Sequence, residues 1–217
     1  MSKTLLLDFD GVIFNNSKMN QMIQHRATIY FQHHTRMPYH VAAKLNSKYY
    51  KPYGHTVYFM KDILEDSDSV SIKEFNEFVY SSKTLDTISK ELNSNDVQMA
   101  KMWRDTIQQF KENDYFIKLF SNAPSIWIDR CLEELPYNLN YLLDDCFCFD
   151  NLENLKPNKN SYNCVHESEQ KIVFVDDSVD NLKPVQHYEH WKPVHFGESE
   201  GDIFFSTMNP LTIQHFI

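Results

Sequence analysis

Short apolar runs recur along the chain and predict its β-strands. They lie at residues 5–7, 116–120, 146–149 and 172–175, with a weaker fifth at 194–196, and each has the length and flanks of a buried strand. Helical periodicity separates the later runs, most clearly at residues 96–111, 124–135 and 181–188. Strands that alternate with helices predict an α/β protein whose parallel sheet carries helices on its faces.

The interval between the first and second strands has a different character. About a hundred residues lie there, and most of them have a helical pattern, including residues 17–31, residues 38–50 and a helix opened by Ser71. The spacing from Ser71 to Glu74 predicts a capping box. A crossover between parallel strands needs only one helix. We therefore interpret residues 15–93 as an all-helical cap domain, inserted into an α/β core domain of residues 1–14 and 94–217.

Composition narrows the class of protein. With 217 residues, of which 42% are hydrophobic and 14% aromatic, the chain can bury a sizeable core, which excludes a disordered class. A formal net charge of -9 excludes a global positive field for a nucleic acid polymer or an anionic membrane, so any bound phosphate must be held locally. Neither a signal peptide nor a run of about 18 apolar residues occurs, and we expect a soluble, cytoplasmic protein. The pattern does not decide between a monomer and a homodimer.

Several potential ligands lack the spacing of a site. The four cysteines form no C-x-x-C pair and are interpreted as reduced core thiols. Asp144 and Asp145 precede their strand, so they are expected in a turn at the opposite edge of the sheet from the strand ends. An acidic segment without a calcium-loop pattern is expected to be solvated; it contains Glu65, Asp66 and Asp68. The histidines of the predicted cap are expected at the surface or in packing contacts; they are His25, His33, His34 and His40.

Four polar motifs carry the candidate chemistry. They follow successive predicted strands and read Asp8-Phe9-Asp10-Gly11, Ser121-Asn122, Lys156-Pro157 and Asp176-Asp177-Ser178. Because the carboxyl ends of parallel strands open onto one crevice, we expect most of these groups to meet there. Two acidic sites, a hydroxyl and a lysine are what phosphoryl transfer through an aspartyl phosphate requires, with Mg²⁺ neutralising the repulsion between carboxylate and phosphate.

In this order, the motifs resemble those of haloacid dehalogenase-like hydrolases, and the resemblance covers essentially the whole chain. It implies a Rossmann-like core and a helical cap of the first type after the first motif. It also implies that Asp8 is a nucleophile that becomes transiently phosphorylated, while Asp10 acts first as general acid and then as general base. Phosphate would be bound by the Ser121 hydroxyl, the Asn122 amide and Lys156.

The same resemblance implies a magnesium site. Its ligands would be the carboxylates of Asp8 and Asp177 and the backbone carbonyl of Asp10, because Mg²⁺ prefers octahedral oxygen ligands. Asp176 would be an outer-shell or water-mediated partner. The chain would then be a magnesium-dependent phosphatase.

The second aspartate decides between chemistries. Carbon–halogen hydrolysis does not need it as a general acid, so Asp10 favours a phosphatase or phosphomutase. A response-regulator receiver has a similar residue set but a different motif order and no long insert. Two alternatives stay open, namely a phosphatase of sugar phosphates or other small phosphomonoesters and a catalytically inactive binding protein of the same fold.

The insert carries a finer resemblance. Tyr49-Tyr50-Lys51-x-Tyr53-Gly54, followed by residues 74–79, is similar to the cap of pyrimidine 5'-nucleotidases. This implies a pyrimidine nucleoside 5'-monophosphate as the small phosphorylated substrate, with a tyrosine stacked on the base and polar residues such as Asn15, Asn16 or Thr56 reading its edge. The tyrosines are alternatively core or hinge aromatics. We expect the three tryptophans to be core aromatics without a catalytic role; they are Trp103, Trp127 and Trp191.

Overall fold

The computed structural model describes residues 2–64, 70–165, 170–198 and 204–217. The acidic segment of Glu65, Asp66 and Asp68 lies outside these residues. Within them the chain forms six strands, which are β1 Lys3–Leu7, β2 Tyr115–Phe120, β3 Asp145–Phe147, β4 Lys171–Asp176, β5 Trp191–Phe196 and β6 Phe205–Thr207.

The chain divides into two compact units. The core unit comprises Met1–Asn15 and Leu92–Ile217, and the helical unit comprises Asn16–Glu91. The helices of the helical unit are α1 Ser17–Thr35, α2 Tyr39–Tyr53, α3 Thr56–Ile63, α4 Ile72–Val79, α5 Ser82–Leu85 and α6 Ile88–Glu91. Those of the core unit are α7 Ser94–Glu112, α8 Ser125–Glu134 and α9 Val179–Leu182. The described residues of the core unit also form 3-10 helices at Leu139–Leu142, Lys159–Cys164, Lys183–Val185 and Pro210–Phe216.

The strands form one parallel sheet in the order β3-β2-β1-β4-β5-β6. This confirms the predicted α/β class with an all-helical insert after the first strand. Strand β1 is central, and its Leu7 lies opposite Leu119 of β2 and Val175 of β4. Leu5, Leu6 and Leu7 are fully buried, which explains a continuous apolar run where a half-exposed strand would alternate.

The sheet differs from the prediction at its edges. Strand β3 ends at Phe147 rather than residue 149, because the chain turns at Cys148, whose backbone N–H donates to the Asn151 side chain. Strand β6 was not predicted. It has only three residues, none fully buried, so its sequence carries neither a long apolar run nor an alternating pattern.

The helix predicted at residues 181–188 is wrong in its extent. Helix α9 ends at Leu182 and is followed by a short 3-10 turn, Lys183–Val185. Pro184 explains the difference, since proline lacks the N–H that a continuing α-helix needs and its ring clashes with the preceding turn.

Local capping explains where the helices of the helical unit begin and end. The Asn16 side chain accepts a hydrogen bond from the backbone of Met19 at the start of α1, at 3.0 Å. The Ser71 hydroxyl accepts one from the backbone of Glu74 at the start of α4, at 3.3 Å, which is the first half of the predicted capping box. Gly54 ends α2 in the left-handed conformation, with φ of 69°.

The helical unit has its own apolar core. Fully buried members from four different helices are Phe31, Ala42, Val57, Phe59, Met60 and Val79. A polar network lies among buried residues here, because Asn46 donates to the Thr28 hydroxyl at 3.3 Å and accepts from the Thr56 hydroxyl at 3.0 Å. The amide of Asn46 is thus satisfied on both sides without any charge.

The cysteines correct one expectation. All four are free thiols, but only Cys131 and Cys148 are buried; Cys146 is half-buried and Cys164 is exposed. Cys164 is therefore not a core residue. The tryptophans are buried as expected. In the part of the chain that the structure describes, no helix is both long enough and apolar enough to cross a membrane.

Candidate active site

Neighbouring strands bring the predicted motifs to one edge of the sheet. Asp8 follows β1, Ser121 follows β2, and Asp176 is the last residue of β4. Because β1 pairs in parallel with both β2 and β4, these three residues emerge at the same carboxyl edge. The backbone N–H of Asp8 continues the pairing by donating to the Val175 carbonyl at 2.9 Å.

A buried lysine joins two of the acidic residues. The Lys156 ammonium lies 3.1 Å from Asp8 Oδ1 and 2.5 Å from Asp176 Oδ2, and the residue is only 1% exposed. Its ammonium also lies 5.1 Å from the ring centroid of Phe120. A lysine is rarely buried unless its charge is paired. Here the charge of Lys156 is paired with two carboxylates, those of Asp8 and Asp176.

Asn122 fastens the segment that carries this lysine. Its side chain accepts a hydrogen bond from the backbone N–H of Lys156 at 2.9 Å and donates to the Lys156 carbonyl at 2.8 Å. The loop after β2 is thereby tied to the loop after β3. Sequence reasoning considered only the backbone amide of Asn122, because nothing in a single sequence indicates a side-chain contact across 34 positions.

Ser121 lies in the turn between β2 and α8. Its residue is 2% exposed, and its hydroxyl oxygen accepts a hydrogen bond from the backbone of Ala123 at 3.2 Å. Its own N–H donates to the Phe147 carbonyl at 2.9 Å, so β3 fixes the backbone here. The hydroxyl proton can be given to a further acceptor.

Position 11 requires glycine because the Asp177 side chain lies directly against its backbone. It has φ of +81°, and a Cβ atom at this position would lie 2.2 Å from Asp177 Oδ2. The turn around it is closed by hydrogen bonds from the Ile13 and Phe14 backbone to the Phe9 carbonyl, at 2.9 and 3.0 Å. The Asp177 carboxylate and the turn after β1 are therefore packed against each other.

Asp10 is held by a residue that sequence reasoning missed. The indole Nε1 of Trp127, on α8, donates to Asp10 Oδ1 at 2.9 Å. Burial raises the pKa of Asp10 to about 6, although the Trp127 hydrogen bond and the Lys156 charge both oppose the rise. Trp127 was expected only to fill the core, and no sequence signal connects two residues 117 positions apart.

The Asp176 carboxylate, expected as an outer-shell partner of the metal, is held in place by several protein groups. It is completely buried, and besides Lys156 it accepts hydrogen bonds from the Ser178 backbone at 2.9 Å and from the Asn181 amide at 2.9 and 3.1 Å. Asp177 is exposed as a residue, but its carboxyl packs against the turn at Gly11, and this partial loss of hydration together with the charge of Asp176 raises its pKa to about 7. The His195 Nε2 lies 3.1 Å from the Asp177 carbonyl oxygen and is a second contact that the sequence did not indicate.

The carboxylates form a set that suits a hard divalent cation. Oxygen atoms of Asp8, Asp176 and Asp177 lie within 4.8 Å of one another. Burial and the neighbouring charge of Asp176 raise the pKa of Asp8 well above its usual value, since Lys156 offsets only part of this crowding. An all-oxygen donor set fits Mg²⁺ rather than a metal that prefers thiolate or imidazole ligands.

Asp144 and Asp145 are remote from this edge of the sheet. They lie at the amino end of β3, where the Asp144 carboxylate accepts a hydrogen bond from the Ile117 backbone at 2.7 Å.

Comparison with known proteins supports the fold. No family model matches the chain, and no curated protein matches it. Among solved structures, a haloacid dehalogenase-like phosphatase from Thermococcus onnurineus is similar, with a TM-score of 0.60, 12% identity and coverage of 98% of this chain and 96% of that one. A hydrolase of the same superfamily from Geobacter sulfurreducens has a TM-score of 0.55 and 11% identity over the full length of both chains. An L-2-haloacid dehalogenase has a TM-score of 0.51 and 12% identity over 99% of each. The chain thus has the fold of the haloacid dehalogenase-like hydrolases.

Proposed function

We propose that this chain is a magnesium-dependent phosphomonoester hydrolase that acts through an aspartyl phosphate on Asp8. The observation that supports it most is the pairing of Asp8 with the buried Lys156, while a second carboxyl, Asp10, is held separately by Trp127. One carboxyl is therefore placed next to a cation that favours its ionised, nucleophilic form against the effect of burial, and the other has a pKa of about 6, which suits proton transfer near neutral pH.

The reaction proceeds in two displacements. An Asp8 carboxylate oxygen forms a bond to phosphorus while the bond between phosphorus and the leaving oxygen breaks, and Asp10 gives its proton to that oxygen. Asp10, now ionised, takes a proton from water as the water oxygen attacks the phosphorus of the aspartyl phosphate. The bond between Asp8 and phosphorus breaks, which releases inorganic phosphate and restores both carboxyl groups.

Three groups are proposed to hold the phosphate. The Lys156 ammonium balances the charge that the nucleophile and the phosphate bring together, and the Ser121 hydroxyl and the Asn122 amide donate to phosphate oxygens. The Asn122 side chain supports this arrangement, because it ties the lysine-bearing segment to the loop of Ser121.

Asp8, Asp177 and the Asp10 carbonyl would hold Mg²⁺, with Asp176 contributing from the outer shell. When bound, the ion would neutralise the repulsion between the carboxylates and the incoming phosphate. The raised pKa values of Asp8 and Asp177 support such a site, because burial and the neighbouring charge of Asp176 disfavour the ionised carboxylates and a bound cation would offset both effects.

The fold alone does not select phosphoester hydrolysis, since an L-2-haloacid dehalogenase has the same fold. Asp10 supports phosphoryl transfer, because an alkoxide leaving group needs a proton whereas a halide does not. The test is hydrolysis of an aryl phosphate with Mg²⁺, without metal and with EDTA. We expect turnover only with the metal, and its loss in Asp10→Asn. Wild-type turnover in EDTA would contradict the proposal, and absence of turnover on any phosphomonoester would favour an inactive binding protein.

We further propose a pyrimidine nucleoside 5'-monophosphate as substrate, on the resemblance around Tyr49, Tyr50, Tyr53 and Gly54. Of these tyrosines, Tyr50 is 47% exposed, whereas the rings of Tyr49 and Tyr53 pack against Phe59 at 5.7 and 6.3 Å. Tyr50 is therefore the better candidate for stacking on a base.

Two of the polar residues expected beside the base have other contacts. Asn16 caps α1, and Thr56 belongs to the Asn46 network, so both are buried and used within the helical unit. Asn15 is exposed. The test compares kcat/KM for UMP, CMP, AMP, GMP and glucose 6-phosphate at one Mg²⁺ concentration. A preference for the hexose phosphate, or no ranking, would contradict the nucleotidase proposal and favour a phosphatase of sugar phosphates or other small esters.

A further inference from the structure

Two tryptophans tie down the short turn that follows β1. Trp127 Nε1 donates to the Asp10 side chain at 2.9 Å, and Trp103 Nε1 donates to the Val12 backbone carbonyl at 2.8 Å. Both indoles are essentially buried. The two bonds have the same donor, similar length and the same turn as target, but only that of Trp127 reaches a carboxyl group.

Packing fixes the Trp127 indole. Its ring meets the ring of Phe14 edge to face, with centroids 5.6 Å apart and an interplanar angle of 87°. Phe14 in turn stacks on Phe9 at 6.1 Å. The indole is therefore locked to the same turn that carries Asp10, and the N–H can keep its aim while the carboxyl changes protonation.

The chemistry of an indole makes this contact directional. An indole N–H only donates, so the Asp10 oxygen that meets it has to accept. The carbonyl oxygen of a neutral carboxyl is a better acceptor than its hydroxyl oxygen, so this hydrogen bond favours the neutral form of Asp10 that carries its proton on the other oxygen, Oδ2. A carboxyl without such a partner could present either oxygen.

We propose that Trp127 is a positioning residue, which fixes the Asp10 carboxyl through Oδ1 and leaves Oδ2 as the oxygen that gives its proton to the leaving group. This rests on the proposed function, because it assigns a supporting residue to the general acid of that reaction. Trp127 would act through Asp10 rather than on the substrate.

The test measures kcat/KM over a series of phosphate monoesters with increasingly basic leaving groups, from dinitrophenyl phosphate to an alkyl phosphate. This parameter reports on the steps up to phosphoryl transfer to Asp8. A good leaving group departs without a proton, whereas an alkoxide needs one. In Trp127→Phe we expect a loss of about tenfold to 10²-fold with the alkyl ester and less than about threefold with the dinitrophenyl ester, a part of the usual effect of a general acid.

Two further variants keep the test decisive. Replacement of Trp127 by 3-benzothienylalanine preserves the shape of the ring but has sulfur in place of N–H, and it should reproduce the same dependence on the leaving group even if Trp127→Phe folds poorly. Trp103→Phe is the matched control, since it removes an equivalent bond to the turn. Its losses should be the same for all esters.

A second readout does not depend on activity. In the NMR spectrum of the whole protein, Asp10→Asn should shift the indole N–H resonance of Trp127 and leave that of Trp103 near its wild-type position. A uniform loss across the ester series in both Trp127 variants, a dependence on the leaving group in Trp103→Phe, or an unmoved Trp127 resonance would each overturn the proposal. If the wild-type chain hydrolyses no ester of the series, the proposed function fails instead.

Discussion

The two units bury different kinds of polar residue. Among the described residues of the helical unit, the buried polar side chains are Asn16, Thr28, Asn46, His55, Thr56 and Thr84, and none of them is charged at neutral pH. In the core unit, by contrast, the buried Lys156 ammonium lies 3.1 Å from the Asp8 carboxyl and 2.5 Å from the Asp176 carboxyl, and both aspartates are buried. Neutral groups can be satisfied by one or two hydrogen bonds, whereas buried ions cost several kcal/mol each before pairing. A buried cluster of paired charges supports the proposed active site, and the helical unit shows what purely structural polar burial looks like.

The two units also differ in how burial changes the pKa of their titratable groups, as His55 shows. Burial lowers its pKa to about 3, and its Nδ1 accepts a hydrogen bond from the Val57 backbone at 3.2 Å. In the core unit the same physical cause, burial, raises the pKa of Asp10 to about 6. Both shifts favour the neutral form of the buried group. As the pH falls through the mildly acidic range, protonation of Asp10 therefore stabilises the core unit, whereas the pressure to protonate His55 destabilises the helical unit.

The largest effect is expected for Asp8→Asn. An amide cannot form the acyl phosphate, so turnover should fall by at least about 10³-fold. The thermal unfolding temperature should stay near that of the wild type, because Lys156 keeps Asp176 as partner and a crowded carboxylate is removed. Calorimetry and a phosphatase assay on one preparation measure both. A folded variant with wild-type turnover would contradict the assignment of Asp8.

Lys156→Ala should damage both rate and stability. It leaves Asp176 buried without its cation, which costs about 3 kcal/mol or more, and removes a charge that faces the phosphate, which lowers the rate by about 10² or more. The matched control is the exposed Lys159, three residues on. If Lys159→Ala proved damaging and Lys156→Ala harmless, the third motif would be wrongly assigned.

In the helical unit, Asn46→Ala should affect stability alone. It leaves the Thr28 and Thr56 hydroxyls without their shared partner, at a cost of about 1–3 kcal/mol. We expect kcat of the folded variant to remain near the wild-type value. Urea unfolding and steady-state kinetics test this, and a large fall in kcat would show that the two kinds of polar burial are not separable in this way.

The smallest effect concerns the pH dependence of stability. Because the folded pKa of His55 is below its unfolded value, the unfolded chain binds the extra proton between pH 6.5 and about 3, so stability is full above pH 6.5 and falls as pH decreases. The slope from this residue is at most about 1.4 kcal/mol per pH unit. His55→Asn supplies a side-chain oxygen as capping acceptor in place of Nδ1 and removes the titration. Urea unfolding between pH 7.5 and 5 should give a shallower slope for the variant, and an identical slope would contradict this account.

The strand ends were predictable because their signal is local. A buried parallel strand reads as an apolar run, and the residue after it lies at the sheet edge, so Asp8, Ser121 and Asp176 could be placed by counting. The side chains that contact these residues could not be predicted in this way. Trp127 reaches Asp10 from 117 positions away, and Asn122 reaches Lys156 through its side chain rather than its backbone. The sequence likewise did not indicate that Asn16 caps a helix or that Thr56 belongs to the Asn46 network, because the residue type alone does not show whether a polar side chain already has a structural partner.

The central claim, a covalent intermediate on Asp8, can be tested by trapping. Wild-type protein turning over an activated aryl phosphate with Mg²⁺ is quenched in acid, reduced with borohydride and digested, and the peptide that contains Asp8 is analysed by mass spectrometry. Borohydride converts an aspartyl phosphate to homoserine, so we predict homoserine at position 8 in the wild type and none in Asp8→Asn. Steady turnover with no modification at position 8, or with the phosphoryl group trapped at another residue, would contradict the account.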